Sequence, residues 1–95
     1  WFIGNFDPAV LKTEQFEVGV LTHKKGEVWT KHYHKLGTEY NLLLKGQMII
    51  CGETIHEGEI FILEPNEVAD PVFIEDCLVL CIKTPSVPGD KYEVF

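Results

Sequence analysis

The sequence predicts an all-β fold, either a sandwich or a barrel of short strands. Segments rich in β-branched and aromatic residues follow one another along the chain, and each ends at a glycine, a proline or a charged turn. Helical patterning is almost absent, and only residues 7–12 are compatible with one short helical turn. Because 95 residues suit one domain, we expect a single domain over residues 1–95.

The predicted strands follow these segments in chain order. They cover residues 16–23, 28–34, 39–44, 47–51, 59–63, 72–74 and 78–83. Lys45 and Gly46 separate two of them and predict a two-residue hairpin turn, since glycine can adopt a positive φ. Prolines and a glycine make the C-terminal tail, residues 86–95, irregular. We expect this tail to lie across the domain or to reach a neighbouring subunit.

Two histidines and a glutamate are spaced to bind one metal ion. Side chains alternate between the two faces of a strand, so His32 and His34 point the same way. After a short break the next predicted strand begins at Glu39 and returns a carboxylate to the same place. Two imidazoles and a carboxylate suit divalent Fe, Mn, Ni or Zn, and the lack of a thiolate in the cluster argues against a structural zinc site. We therefore predict metal binding by His32, His34 and Glu39.

The same alternation predicts the residues around the metal. Val28 and Thr30 share the face of the two histidines, whereas Asn41 and Leu43 share the face of Glu39. Thr30 and Asn41 are thus candidates to line a small-molecule pocket. The Asn41 carboxamide can bind a ligand, although its commoner role is to satisfy a backbone group.

Aromatic side chains on the opposite face of the histidine strand predict a protein interface. Trp29 and Tyr33 would otherwise form an exposed apolar patch, so we expect them to pack against another sheet or a partner subunit, and we predict a homodimer. His23 and His56 precede charged turns that contain glycine, and we expect both at the surface.

The metal-ligand spacing resembles the first conserved motif of the cupin superfamily. The pattern Gly-x5-His-x-His-x4-Glu-x6-Gly is matched at every position from Gly26 to Gly46. The second cupin motif is matched only in part, because Ala69 stands where the family has its fourth metal-binding histidine. A shift of one residue brings Asp70 near that position, which makes Asp70 a substitute ligand or pocket residue. The resemblance covers residues 16–85.

This resemblance implies a cupin-type jelly-roll β-barrel, also called a double-stranded β-helix, with residues 16–85 as its core. Cupins include dioxygenases, isomerases, epimerases, lyases and non-catalytic binding proteins, so the resemblance leaves the reaction open. We predict a metal-dependent enzyme that acts on a small polar molecule, a carbohydrate or a carboxylate. The alternative is a binding or sensing module that does no chemistry, which the missing fourth histidine favours.

The composition limits which binding partners and which cellular compartment we expect. The net charge of −7 and the isoelectric point of about 4.9 disfavour nucleic acid and anionic membranes as partners. Cys77 and Cys81 are four residues apart in one predicted strand, too far apart for a disulfide. We expect these two and Cys51 to be buried hydrophobic side chains in a reduced, cytoplasmic protein.

Overall fold

The computed structural model describes residues 1–94, which fold into short β-strands without a helix. The strands are β1 Ile3–Gly4, β2 Leu11–Lys12, β3 Glu17–His23, β4 His32–Tyr33, β5 Thr38–Lys45, β6 Gln47–Ile50, β7 Glu53–His56, β8 Ile60–Leu63, β9 Val72–Phe73, β10 Cys77–Thr84 and β11 Tyr92–Glu93. The all-β prediction is confirmed. Within residues 1–94 there is no helix long and apolar enough to cross a membrane.

The strands form two facing layers and a small pair. The large sheet has the order β2-β1-β3-β10-β5-β8, and the small sheet has the order β7-β6-β9. The remaining pair joins β4 to β11, near the C-terminus. Neighbours in the large sheet are distant in sequence and mostly antiparallel, because the chain alternates between the two layers as it advances.

The inner face of the large sheet changes from polar at one end to apolar at the other. Across β3, β10 and β5, the residues Glu17, Lys83 and Glu39 lie side by side in register. The next inward row contains Cys81 beside Asn41, and the row after that is hydrocarbon, with Val79 between Leu21 and Leu43. The polar end of the sheet is therefore the end at which the predicted metal ligand Glu39 lies.

A hydrophobic core fills the remainder of the space between the two sheets. Its buried members are Leu43, Met48, Ile50, Ile55, Leu63, Ala69, Phe73, Cys77 and Val79. Trp29 and Phe61 pack against this cluster. Cys77 and Cys81 are buried free thiols, as predicted, but Cys51 is exposed, so the prediction for Cys51 is wrong. Cys51 follows the end of β6 in a turn with φ of 49°.

Several local predictions are wrong for one reason, namely that strand pairing is set by distant segments. The predicted strand at 28–34 is ordered as a strand only at His32–Tyr33, with one further bridge at Val28. Lys45 and Gly46 do not close a hairpin, because β5 and β6 belong to different sheets. Gly46 instead turns the chain between layers with φ of 98°, where a Cβ would lie 2.4 Å from the Asp76 carbonyl oxygen.

The chain termini also differ from the predictions. Residues 7–12 contain no helical turn, and Leu11–Lys12 pairs as a strand parallel to β1. Strand β7 was not predicted, because Ile55 is its only buried side chain. The tail is not wholly irregular: β11 pairs with β4, and the Tyr92 ring stacks on Tyr33. Phe95, the last residue of the predicted tail, lies outside the described residues.

Candidate metal centre and ligand cavity

His32 and His34 are both buried and both face the space between the sheets. They flank Tyr33 in β4, so the pleat of the strand sends the two imidazoles to one side. Their ring centroids are 5.5 Å apart, and the rings are inclined by 77°. Backbone hydrogen bonds in both directions between His32 and Ala69 hold the strand against the segment before β9. The predicted common face of the two histidines is present.

Glu39 completes the cluster from the large sheet. Its Oε2 lies 2.5 Å from Nε2 of His34, and its Oε1 accepts a hydrogen bond of 3.2 Å from the Cys81 thiol. One donor atom from each of His32, His34 and Glu39 lies within 4.8 Å of the others. Imidazole nitrogen and carboxylate oxygen at such separations can coordinate one divalent ion. The structure thus brings together the three side chains that the sequence predicts as metal ligands.

Backbone carbonyl groups orient both imidazoles. Nδ1 of His32 is 3.3 Å from the Thr30 carbonyl oxygen, and Nδ1 of His34 lies against the Asp90 carbonyl oxygen. If each Nδ1 carries the proton and donates it to its carbonyl group, each Nε2 is left with a free lone pair. This is the tautomer and the second hydrogen bond that metal-binding histidines have in proteins. The donor set therefore fits a metal ion in orientation as well as in composition.

Asp90 stabilises the turn between His34 and Glu39. Its buried carboxylate accepts hydrogen bonds from the backbone N–H groups of Lys35, Leu36 and Gly37. These bonds lower the pKa of Asp90 although burial opposes them. A residue of the C-terminal tail thus holds both the ring of His34 and the turn that leads to Glu39. No periodicity or motif in the sequence marks this role.

The pKa values of the three ligands differ in direction. Burial lowers the pKa of His32, because an imidazolium without water is disfavoured. The hydrogen bond to Glu39 raises the pKa of His34. Burial acts to raise the pKa of Glu39, but hydrogen bonds from His34 and Cys81 outweigh it and the pKa is lowered. Burial thus favours the neutral, metal-binding form of His32, whereas the hydrogen bond to Glu39 favours the protonated form of His34, with which a metal ion would compete.

A cavity of about 240 Å³ extends from this cluster between the sheets. It lies at the small end of the range of ligand sites in proteins, so it suits a small molecule. The three cluster residues line it together with Asn41 and Lys83. The rest of the wall is largely hydrocarbon and aromatic, and includes Leu21, Trp29, Met48, Ile50, Phe61, Leu63, Phe73 and Val79.

The other predicted pocket residues have different outcomes. Asn41 lines the cavity and is only 3% exposed. Thr30 and Asp70 are exposed and lie outside the cavity lining; Asp70 is instead 3.8 Å from the Lys31 ammonium group. Val28 is also exposed, because the alternation assumed for residues 28–34 is interrupted before His32. Thr30 contributes to the site through its carbonyl group rather than its side chain.

His23 is a residue of the cavity that sequence reasoning placed wrongly at the surface. It is 7% exposed, stacks on Phe73 at a centroid distance of 4.2 Å and lines the cavity. Its Nδ1 is 2.7 Å from a Glu27 carboxylate oxygen, which also accepts a hydrogen bond from the Trp29 indole. Strand alternation was the signal that could have found it, since Leu21 and His23 share the inward face of β3. His56 is exposed, as predicted.

Trp29 and Tyr33 do not form the outer aromatic face that the sequence predicts. Trp29 faces inward, lines the cavity and packs on the core, while Lys91 lies 4.8 Å above its ring. Tyr33 is half-buried beneath Tyr92 of the same chain. Residues 29–31 are not in a strand, so alternation does not fix the direction of Trp29.

Solved structures with the same architecture place this chain in a known fold. A protein with a double-stranded β-helix domain from Klebsiella pneumoniae aligns with a TM-score of 0.78 at 21% identity, over 90% of this chain and 75% of that one. An RmlC-like cupin protein from Ralstonia eutropha aligns with a TM-score of 0.67 at 13% identity, over 86% and 57% of the two chains. The chain has the cupin fold.

A third structure with this cupin fold is that of an enzyme. DMSP lyase DddQ from Ruegeria pomeroyi aligns with a TM-score of 0.77 at 10% identity, over 97% of this chain and 48% of that one. No protein-family model matches the sequence, and no curated protein matches it either. At these identities the likeness establishes the fold, and the chemistry has to be argued from the site.

Proposed function

We propose that this cupin is a metal-dependent enzyme that acts on a small polar molecule, a carbohydrate or a carboxylate. One observation carries the proposal: His32, His34 and Glu39 bring one potential ligand atom each within 4.8 Å of one another, while backbone carbonyl groups engage the Nδ1 atoms of both histidines. The ion would be divalent Fe, Mn, Ni or Zn. DMSP lyase DddQ, which shares the fold, is an enzyme that acts on a small molecule.

A metal ion held by three side chains keeps coordination positions for a substrate, whose carbonyl or carboxylate group it can polarise. The chain supplies the surroundings for such chemistry. The hydrocarbon wall of the cavity excludes water, and the hydrogen bonds of Asp90 fix the ligands. His23, held by Glu27, lines the cavity apart from the three ligands and is the candidate to accept or donate a proton.

The experiment combines metal analysis with a search for turnover. Protein purified without nickel affinity resin is analysed for metal, and is then assayed with a panel of sugars, keto acids and diketones. The proposal predicts about one divalent ion per chain and turnover of at least one class, with turnover lost on chelation and restored by the same ion. Stoichiometric metal without turnover across the panel would favour the second candidate function. Protein that neither contains nor takes up a divalent ion would contradict both.

The second candidate is a binding or sensing module that does no chemistry. Ala69 supports it, because this residue pairs directly with His32, is 2% exposed and lines the cavity, where the cupin resemblance expects a fourth histidine. A site with one ligand fewer holds its ion less firmly and can serve ligand binding alone. Ala69→His is the informative variant, because it restores the fourth histidine. A gain of turnover together with tighter metal binding would show that the native site is a catalytic site that lacks one ligand.

We also propose a homodimer, now through a different surface. Exposed and half-buried apolar residues on the outer face of the large sheet form two rows that cross β3, β10, β5 and β8 in register. One row is Val20, Leu80, Leu42 and Ile60, and the other is Val18, Ile82, Tyr40 and Ile62. A contiguous patch of this kind on a small domain is typical of a protein interface. A cytoplasmic location is likewise a proposal, supported by the three free thiols.

A further inference from the structure

Asn41 carries an unused hydrogen-bond donor at the wall of the cavity. Its Nδ2 atom is buried and has no hydrogen-bond partner among residues 1–94. Cys81 is its neighbour in register on one side and Phe61 on the other. The Cys81 thiol is already engaged with Glu39, and Phe61 offers no acceptor. A buried amide N–H without a partner is unfavourable, so this position is suited to an acceptor atom of a ligand.

Asn41 and the metal centre face the same part of the cavity. Asn41 follows Glu39 by two residues in β5, so the two side chains share one face with Cα atoms about 7 Å apart. Both residues line the cavity. A ligand with two oxygen atoms on one carbon can therefore place one oxygen at the ligands His32, His34 and Glu39, and direct the other toward Nδ2.

The charges around the cavity favour an anion once a metal ion is bound. Glu17 and Glu39 line it, as do Lys83 and Lys91, so its carboxylates and ammonium groups balance. Lys83 is paired with Glu17 at 3.3 Å, and Lys91 lies over the Trp29 ring at the wall. A divalent ion adds two positive charges to this balanced set, which an anionic ligand would offset.

The remainder of the wall distinguishes between the two ligand classes of the proposed function. Met48, Ile50, Phe61, Leu63 and Phe73 carry no side-chain group that could pair with a hydroxyl. A sugar that lay along these five side chains would bury hydroxyl groups without partners there, which is costly. A hydrocarbon body would instead lose only contact with water, and that loss is favourable.

We propose that the cavity binds a small carboxylate with a hydrocarbon body. One carboxylate oxygen lies at the metal centre, the second accepts the Nδ2–H of Asn41, and the body packs against the apolar wall. This inference rests on the metal site of the proposed function and narrows its substrate class from carbohydrate or carboxylate to carboxylate.

The test uses the full chain loaded with Co(II), whose visible absorption responds to a new ligand on the ion. Benzoate, benzamide and glucose are titrated into the wild-type protein. Benzoate is expected to shift the Co(II) band, with the other two binding at least about tenfold more weakly, because neither is a carboxylate. Glucose or benzamide that binds as well as benzoate would overturn the carboxylate proposal without any variant being made.

Two substitutions then test the role of Asn41. Asn41→Leu keeps the volume but removes the donor, and should weaken benzoate binding by about tenfold or more. Asn41→Asp places a like charge beside the carboxylate and should weaken it further. Leu43→Val, at a core position two residues further along β5 that does not line the cavity, is the packing control and should leave the benzoate affinity within about twofold.

The possible outcomes separate the two proposals. Wild-type protein that binds no Co(II) would overturn the metal site, and the carboxylate proposal with it. Co(II)-loaded protein that does not respond to benzoate would overturn the carboxylate proposal alone. Equal benzoate affinity in Asn41→Leu and wild type would show that Asn41 does not bind the ligand. That result would overturn the geometry in which the second carboxylate oxygen accepts the Nδ2–H of Asn41.

Discussion

The two faces of the large sheet invert the usual distribution of polar and apolar residues. The inner face buries Lys83, Glu39 and Asn41 beside the cavity, whereas the outer face exposes residues such as Ile62 and Ile82 to water. The same strands carry both faces, so alternation alone accounts for the geometry. Both arrangements are costly for an isolated chain, since buried charges lose water and exposed hydrocarbon contacts it.

This contrast shows what the isolated chain lacks on each side. The inner face has nitrogen and oxygen donors that are oriented toward one another, and one amide donor without a partner. It therefore suits an ion and a small ligand. The two apolar rows of the outer face contain only hydrocarbon and one phenol, so they suit a second protein surface. We therefore propose that the inner face carries the function and that the outer face carries the assembly.

The largest effect is expected on the oligomeric state, when a charged residue is introduced on the outer face of the large sheet. Ile82 lies in β10 near the middle of one apolar row, so Ile82→Lys should convert the proposed dimer to a monomer by burying an unpaired charge in the interface. Val28→Lys is the matched control, because Val28 is also exposed and β-branched but lies away from this face. Light scattering coupled to size-exclusion chromatography gives the masses. A wild-type mass equal to the monomer at micromolar concentration would exclude the dimer.

A large loss of stability is expected when the buried ion pair of the inner face is broken. Lys83→Met leaves Glu17 without its partner in a mostly buried position, and should lower the free energy of unfolding by about 3–5 kcal/mol. The double variant Lys83→Met, Glu17→Leu replaces the whole pair by hydrocarbon and should recover most of that loss. Urea denaturation of wild type and of the two variants measures the loss of stability in the single variant and its recovery in the double variant. Equal stabilities for the single and double variants would show that the pair is not coupled.

A moderate effect on metal affinity is expected from a substitution in the C-terminal tail. Asp90→Ala removes the acceptor for three backbone N–H groups and loosens the turn between His34 and Glu39. Loss of such a supporting hydrogen-bond network should weaken metal binding by about 10–100-fold. Asp76→Ala is the control, because the Asp76 carboxylate also accepts a backbone N–H, but in a turn away from the site. If both variants bind Co(II) equally well, Asp90 does not position the ligands.

The smallest effect concerns the pH dependence of the metal-free protein. The pKa of His34 is raised above 6.5, so its contribution to stability is present below that pH and is lost as pH rises through the folded-state pKa. The pKa of Glu39 is lowered below 4.5, so its contribution is present above that pH and is lost as pH falls through the folded-state pKa. The pair therefore stabilises the fold most between pH 4.5 and 6.5.

Glu39→Gln tests this dependence. The difference in stability between wild type and the variant should be largest at about pH 5–6 and should shrink toward about pH 9, where His34 is neutral in both proteins. Burial lowers the pKa of His32, so protonation of His32 at acid pH destabilises both proteins. Because this contribution is present in both, it largely cancels in the difference in stability. Thermal unfolding of the two metal-free proteins across this pH range is the measurement. A difference that grows toward alkaline pH would contradict the assigned directions.

The sequence was sufficient to predict the fold class and the clustering of His32, His34 and Glu39, because both depend on local patterns. Strands β3, β5 and β10 have alternating or continuous apolar runs, and the spacing of His32, His34 and Glu39 needs only a strand, a break and a second strand. The break is short, so few arrangements could separate the ligands.

The errors arose where contacts between distant segments decide the structure. Whether Trp29 faces inward depends on Lys91 and on the core, and His23 is buried because Phe73 stacks on it. Asp90 reaches its site across more than fifty residues of chain. Neither propensity nor spacing encodes such contacts, so the residues that support the candidate metal centre could not be predicted, although the grouping of His32, His34 and Glu39 could.

Metal stoichiometry of wild type and His34→Ala tests the central claim most directly. Both proteins are dialysed against chelator, reloaded with Co(II) and passed through a desalting column, and metal per chain is then measured by mass spectrometry. We predict about one ion per wild-type chain and almost none in the variant, with both proteins folded by circular dichroism. Full Co(II) content in His34→Ala, or none in the wild type, would contradict a metal centre at His32, His34 and Glu39.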